Sequence, residues 1–250
     1  MDLIGMICFF ILGTVFGSFF NVVGLRLPKS IPFHNDRSYC PHCEMQLQWF
    51  ELIPIVSYII QQGKCRHCGK RIAKLYPLIE MITGSLFAFA FWKIGLQVEL
   101  IMILLLISLA MILVVTDLNY LLIPNKILLF FLPLFIGLRI LSPLDPWYDP
   151  LIGAAVGYIL VMLIILLSKG GMGAGDMKLL GLLGIVLGWK LILLTFFIAT
   201  FSGALIGGIL MLTKKLKRGE PMPFGPYILL GALISYFFGE QIVTTYLTLL

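Results

Sequence analysis

The chain has 250 residues, 60% of them hydrophobic and only 12% charged, with a mean hydropathy of +1.04. Such values lie far outside those of soluble domains and exclude a water-soluble globular protein. The formal charge of +6 does not mark a nucleic-acid binder, because the basic residues sit in short loops and form no stripe with interleaved aromatics.

Apolar runs of roughly the 20 residues that cross a bilayer as a helix recur along most of the chain. The first, 3–25, lacks a basic leading segment, holds Asn21 and is not followed by a small-residue cleavage site, so it is expected to be a retained span and not a signal peptide. Residues 27–76 read as soluble. Further spans are expected at 77–96, 99–117, 127–141, 151–168, 177–189, 191–212 and 226–248. The fold class is therefore an all-α integral membrane protein of about eight transmembrane helices, with a small cytosolic module between the first and second. The expected division is 1–26 as first helix, 27–76 as cysteine-bearing module and 77–250 as membrane domain.

With the N-terminus outside, all but Lys93, Arg139 and Lys190 of the 18 Lys and Arg fall in inner loops, as the positive-inside rule requires. Both termini then face outward, and the chain sits in the bilayer of a cytoplasmic membrane. Merging 177–189 with 191–212 would move the basic stretch "TKKLKRGEP" to the outer side, so two spans are expected there.

In the soluble stretch stand "CPHC" and "CRHC", Cys40 with Cys43 and Cys65 with Cys68, separated by 21 residues. Two such knuckles present four thiolates to one tetrahedral ion, near the spacing of a zinc ribbon, and Gly69 supplies the backbone freedom of a tight knuckle. A cytosolic position argues against disulfides. A structural Zn²⁺ is expected to fold a module with little apolar core. His42 and His67 are expected to be exposed bystanders, and Cys8 a small buried hydrophobe.

Asp117 closes the third span and Asp176 opens the sixth, behind "SKGGMGAG". Both are placed at the inner membrane face, where an ionisable residue is costly and asks for a use. Two carboxylates at one depth can share a proton, one accepting from water while the other donates to a carbonyl, which is aspartic-protease chemistry. A proton relay and simple helix capping are the alternatives. No histidine lies at membrane depth to activate a serine, and the glycine run lacks the Gly-Lys-Ser/Thr of a phosphate loop.

Seven stretches in order, "GSFFNVVGLRLP", the paired knuckles, "ELIPIVSY", "RIAKLYPLIE", "DLNYLLIPN", "GAGDMK" and "PFGP", make the chain resemble the type IV prepilin peptidases, bacterial inner-membrane enzymes of the GxGD aspartic class. The resemblance implies that Asp117 and Asp176 are the catalytic pair. It further implies that the basic leader of a type IV prepilin or pseudopilin precursor is removed after a glycine, and that the new N-terminus is methylated from S-adenosylmethionine. Gly173 and Gly175 would then let the substrate backbone come close.

The chain carries no dinucleotide-type glycine fingerprint, so a methyl-transfer site has to be built in the cytosolic module or at the membrane face. Glu80, an ionisable group inside a span, is a candidate for binding methyl donor or substrate amine, or else a helix-start carboxylate favoured by the dipole. Lys178 either stabilises a developing oxyanion or marks the inner face. Asn21, Arg26 and Asn125 are polar partners for substrate or headgroups, or structural. From a different class, a proton-coupled transporter would use the two aspartates as a relay, although no internal repeat supports it.

Overall fold

The computed structural model describes residues 3–31, 38–168, 172–214, 217 and 220–249. Arg37, Lys169, Lys215 and Arg218, which carry part of the charge argument, lie outside these, as does His34. Among the described residues the protein is helical, with two isolated bridges in place of a sheet. The helices are α1 (Leu3–Arg26), α2 (Val56–Ile60), α3 (Leu75–Ile94), α4 (Val98–Tyr120), α5 (Asn125–Leu141), α6 (Asp149–Leu167), α7 (Ala174–Leu212) and α8 (Gly225–Thr248). In hydrocarbon only a helix satisfies every backbone group within its own segment, so the apolar runs have no alternative conformation open to them. The chain divides into two compact units, Met1–Val115 and Thr116–Leu250.

In the first unit α1 lies antiparallel to α3. Lipid is as apolar as leucine, so helices associate there through close packing at small residues, and α1 shows the device at Gly13 and Gly17. A Cβ added at Gly13 would stand 2.8 Å from the Gly84 Cα, and one at Gly17 2.8 Å from the Glu80 Cα. Phe9 stacks on Phe91 farther along, while Gly24 receives Val115 of α4. The buried residues of α1, Gly13, Thr14, Gly17, Phe20, Asn21, Val23 and Gly24, form one stripe, although the helix is apolar all round. Cys8 lies off that stripe and is exposed, not buried as expected; a thiol is apolar enough to face lipid.

In the second unit α7 has 39 residues, which as one straight rod would measure about 58 Å, nearly twice the roughly 30 Å hydrocarbon core. It is not one rod. Gly188 adopts φ 75° and ψ 175°, outside helical space, and the chain doubles back there. A Cβ on Gly157 of α6 would touch both Leu180, before the break, and Ile192, after it. The two halves therefore pass the same level of α6, as the two expected spans require. Gly203, Gly231 and Gly239 show the second half running antiparallel to α8, against Phe224, Thr195 and Leu191 respectively.

The break is polar and capped from both sides. Arg139 of α5, read from sequence as an outer-face marker, is in fact buried, and its guanidinium donates through Nε and Nη2 to the Val186 carbonyl that the break orphans. Asp149 at the start of α6 accepts from the Trp189 amide at 3.4 Å. A cation thus meets the C-terminal end of one half and an anion the N-terminal end of the other, the arrangement that helix dipoles favour.

Candidate functional site

At the opposite end of the second unit, four chain segments converge. Asp117 stands in the last turn of α4 with 5% of its surface exposed, and its Oδ2 accepts from the Gly225 amide at 2.8 Å. Asp176 stands in the first turn of α7 with 9% exposed, and its Oδ2 accepts from the Gly173 amide at 3.2 Å. Asp176 therefore does cap its helix, as one sequence alternative held, but it also lies close enough to Asp117 for their charges to interact. Each carboxylate is held through Oδ2 by one backbone N–H, which leaves its other oxygen to carry a proton or meet a water.

The glycines are used tightly. A Cβ on Gly173 would come 3.1 Å from the Asp176 Oδ2, and one on Gly175 3.0 Å from the Ile123 Cβ. Lys178 donates to the Asn125 Oδ1 at 3.0 Å, tying the first turn of α7 to that of α5. Gly225 was not anticipated as a site residue; "PFGP" was visible as a motif, but its role depends on a contact 108 residues away. An alanine Cβ there would sit 2.8 Å from the Asp117 Oδ2. Gly225→Ala is expected to lower any Asp117-dependent turnover about tenfold or more, since small misplacements of a reacting group cost that much. Gly137→Ala, where nothing lies within 4 Å, is the control; equal rates for the two would remove the positioning role.

In the first unit the four cysteines come together. Their Sγ atoms all lie within 4.8 Å of one another, with Cys40 to Cys68 at 3.9 Å and Cys43 to Cys65 at 4.0 Å. Ligand–metal bonds of about 2.3 Å, the zinc–sulfur length, put tetrahedral edges at about 3.8 Å, so the donor set fits such an ion. The knuckles are built alike: Cys40 N–H reaches Met45 O and Glu44 N–H reaches Cys40 O, as Cys65 N–H reaches Lys70 O and Gly69 N–H reaches Cys65 O. Glu44 (φ 57°) holds the left-handed position that Gly69 (φ 69°) holds in the second knuckle.

Burial opposes ionisation of Cys40, but the amides of His42 and Cys43 and the neighbouring thiols outweigh it and bring it from 9.0 to about 7. For Cys43 the Met45 amide works toward ionisation, yet burial and the other thiols push it up to about 11. His42 is exposed as expected, whereas His67, also exposed, stands 4.0 Å from Glu51 Oε2.

Glu80, the remaining candidate, is buried in α3. Its Oε2 accepts from the Ile55 amide at 2.7 Å, and Ser18 of α1 also hydrogen-bonds to it. One turn away Asn21 Nδ2 donates to the Tyr76 carbonyl at 3.2 Å. Asn21 thus has a packed position between α1 and α3, at 1% exposure.

Comparison with known proteins adds the following. A family profile described as the bacterial peptidase A24 N-terminal domain matches residues 11–94, and one described as the type IV leader peptidase family matches residues 104–208. The chain is similar to a "Prepilin leader peptidase/N-methyltransferase" of Bacillus subtilis, 42% identical over 238 residues that cover 95% of this chain and 96% of that protein. Proteins of the same name from Pseudomonas aeruginosa (33% identical over 275 residues, 97% and 93% covered) and Stutzerimonas stutzeri (31% over 270 residues, 97% and 93%) are also similar. No solved structure matches.

Proposed function

This chain belongs to the type IV leader peptidase family, and on that premise we propose that it cuts the basic leader from type IV prepilin-like precursors and then methylates the new N-terminus. Asp117 and Asp176 are the catalytic pair. The observation that carries this reading is their placement: two buried acids from distant segments, each clamped by a backbone amide, lie near enough for their charges to interact. Sharing one proton between them, the ionised member takes a proton from water while the protonated member donates to the peptide carbonyl. Collapse of the tetrahedral intermediate then returns a proton to the leaving amine. The relatives' names speak for a peptidase with methyltransferase activity, so the transporter alternative is set aside.

The apolar helices and the family support a multi-pass protein of the bacterial inner membrane, and the charge distribution supports both termini outside, with 27–76 and the Asp117 end of the second unit toward the cytosol. In that arrangement a precursor's apolar helix diffuses laterally into contact with the spans while its basic leader stays at the cytosolic face. We assign 1–26 to a first helix, 27–76 to a zinc module and 77–250 to the membrane peptidase. Cys40, Cys43, Cys65 and Cys68 would hold Zn²⁺, which supplies a structural cross-link and no step of the cut. S-adenosylmethionine is the methyl donor that the second activity needs, and Glu80 is assigned to bind it or the amine. Gly173, Gly175 and Lys178 border the peptide at the cut.

The test is to incubate the purified protein with a precursor, with and without S-adenosylmethionine, and weigh the products. A product shortened by the leader is expected in both cases, heavier by one methyl group when the donor is present. An unshortened precursor would refute the peptidase reading.

A further inference from the structure

We infer that Ser18, Asn21 and Glu80 form a binding site for a primary ammonium group, roofed by the strap, residues 48–55, that links the first cysteine knuckle to α2. This rests on the methyl-transfer reading above and gives that reaction a place. The ammonium belongs either to the new N-terminus of the cut substrate or to the methionine part of the methyl donor.

The site sets a buried acceptor that lacks a donor beside a carboxylate that lacks a counter-charge. Asn21 Oδ1 is buried and has no hydrogen-bond partner, and its orientation is forced, because a flipped amide would set that oxygen against the Tyr76 carbonyl. Glu80 carries a charge into the same α1–α3 interface, where no lysine or arginine among the described residues pairs with it. Ser18 and Asn21 lie one turn apart on α1, and Tyr76 and Glu80 one turn apart on α3. The residue with the free oxygen and the residue with the carboxylate thus stand at neighbouring levels of the interface, about one helical pitch, roughly 5.4 Å, apart along the backbone. An ammonium brings three donors and a positive charge to one point, which is what this pair of acceptors leaves open.

The strap holds the place. Ile55 sits at φ 63° and ψ −52°, and Val56 N–H closes on Pro54 O at 2.5 Å, a positive-φ γ-turn that is strained for any residue and more so for a β-branched one. Such strain persists where surrounding contacts over-determine it. The contact here is the Ile55 amide on Glu80, at 2.7 Å. At the other end Glu51, buried with Oε1 unpartnered, stands 4.0 Å from His67 in the second knuckle. An arriving ammonium replaces the Ile55 amide on Glu80 and lets the turn relax. Glu80 can also accept the proton that an amine must lose before it reacts.

The experiment uses full-length enzyme with precursor and S-adenosylmethionine, the cut and methylated products being counted by mass. Binding of S-adenosylhomocysteine and of a peptide with the mature N-terminus is measured separately by calorimetry. Glu80→Gln and Asn21→Leu are expected to lower the ratio of methylation to cleavage about tenfold or more, as loss of direct hydrogen bonds to the ammonium, and Ser18→Ala about threefold, as loss of a bond that only supports the Glu80 carboxylate. A weakened Kd confined to the peptide assigns the ammonium to the substrate, and one confined to S-adenosylhomocysteine assigns it to the donor; either upholds the site. Unchanged ratio and unchanged Kd values overturn it, as does a parallel fall of cleavage, methylation and bound metal in all three variants, which marks packing alone. A wild-type enzyme that cuts and never methylates refutes the methyl-transfer reading instead, and the two Kd comparisons then still decide the site.

Discussion

Asp117→Asn and Asp176→Asn are each expected to lower precursor cleavage by about 10³-fold or more, the scale on which members of a catalytic unit fail singly, with protein level and bound metal unchanged. Asparagine keeps the volume of aspartate and still offers an oxygen to the Gly225 or Gly173 amide, so the fold has no reason to move. What it loses is the exchangeable carboxyl proton. The same substitution separates the rival reading of Asp176, because an asparagine oxygen there still accepts from the Gly173 amide. If capping were its whole role, Asp176→Asn would process precursors normally, and that result from either variant would end the dyad.

The second large effect is expected at the cysteines. Cys40→Ser should abolish stoichiometric metal and leave the segment 38–72 open to protease. That segment has two short turns of helix and isolated bridges to hold it, and Trp49 within it is 78% exposed, so it has little core of its own. In such modules the metal's binding energy, about 10–16 kcal/mol for structural zinc, is the folding energy. Metal analysis and limited proteolysis check this; undiminished metal would falsify the four-thiolate site. The affinity should also fall on acidification. Below a pH of about 11 Cys43 holds a proton, and below about 7 so does Cys40, and the ion must displace each proton to bind.

The candidate site was partly legible in the chain because its members break local rules. An aspartate at either end of a long apolar run, and cysteines in two Cys-x-x-Cys pairs, stand out against neighbours by type and spacing alone. Gly225, Ser18 and Ile55 do not. Gly225 is one glycine among 25, and only the approach of Asp117 makes its amide and its missing Cβ matter. The use of Arg139 was hidden for the same reason: its charge could be counted from sequence, while its partner, Val186, comes from another helix.

Run length and residue type by themselves determined that this is a helical membrane protein of about eight apolar spans and which acids and thiols stand out as candidates, because those are properties of contiguous residues meeting lipid or water. Only the tertiary structure decided that α7 turns back at Gly188, which amide holds each carboxylate, and that Asn21 keeps a buried oxygen without a donor. These depend on which helices pack together, and in lipid that choice is made by close contact between small residues far apart in the chain, which no local pattern encodes.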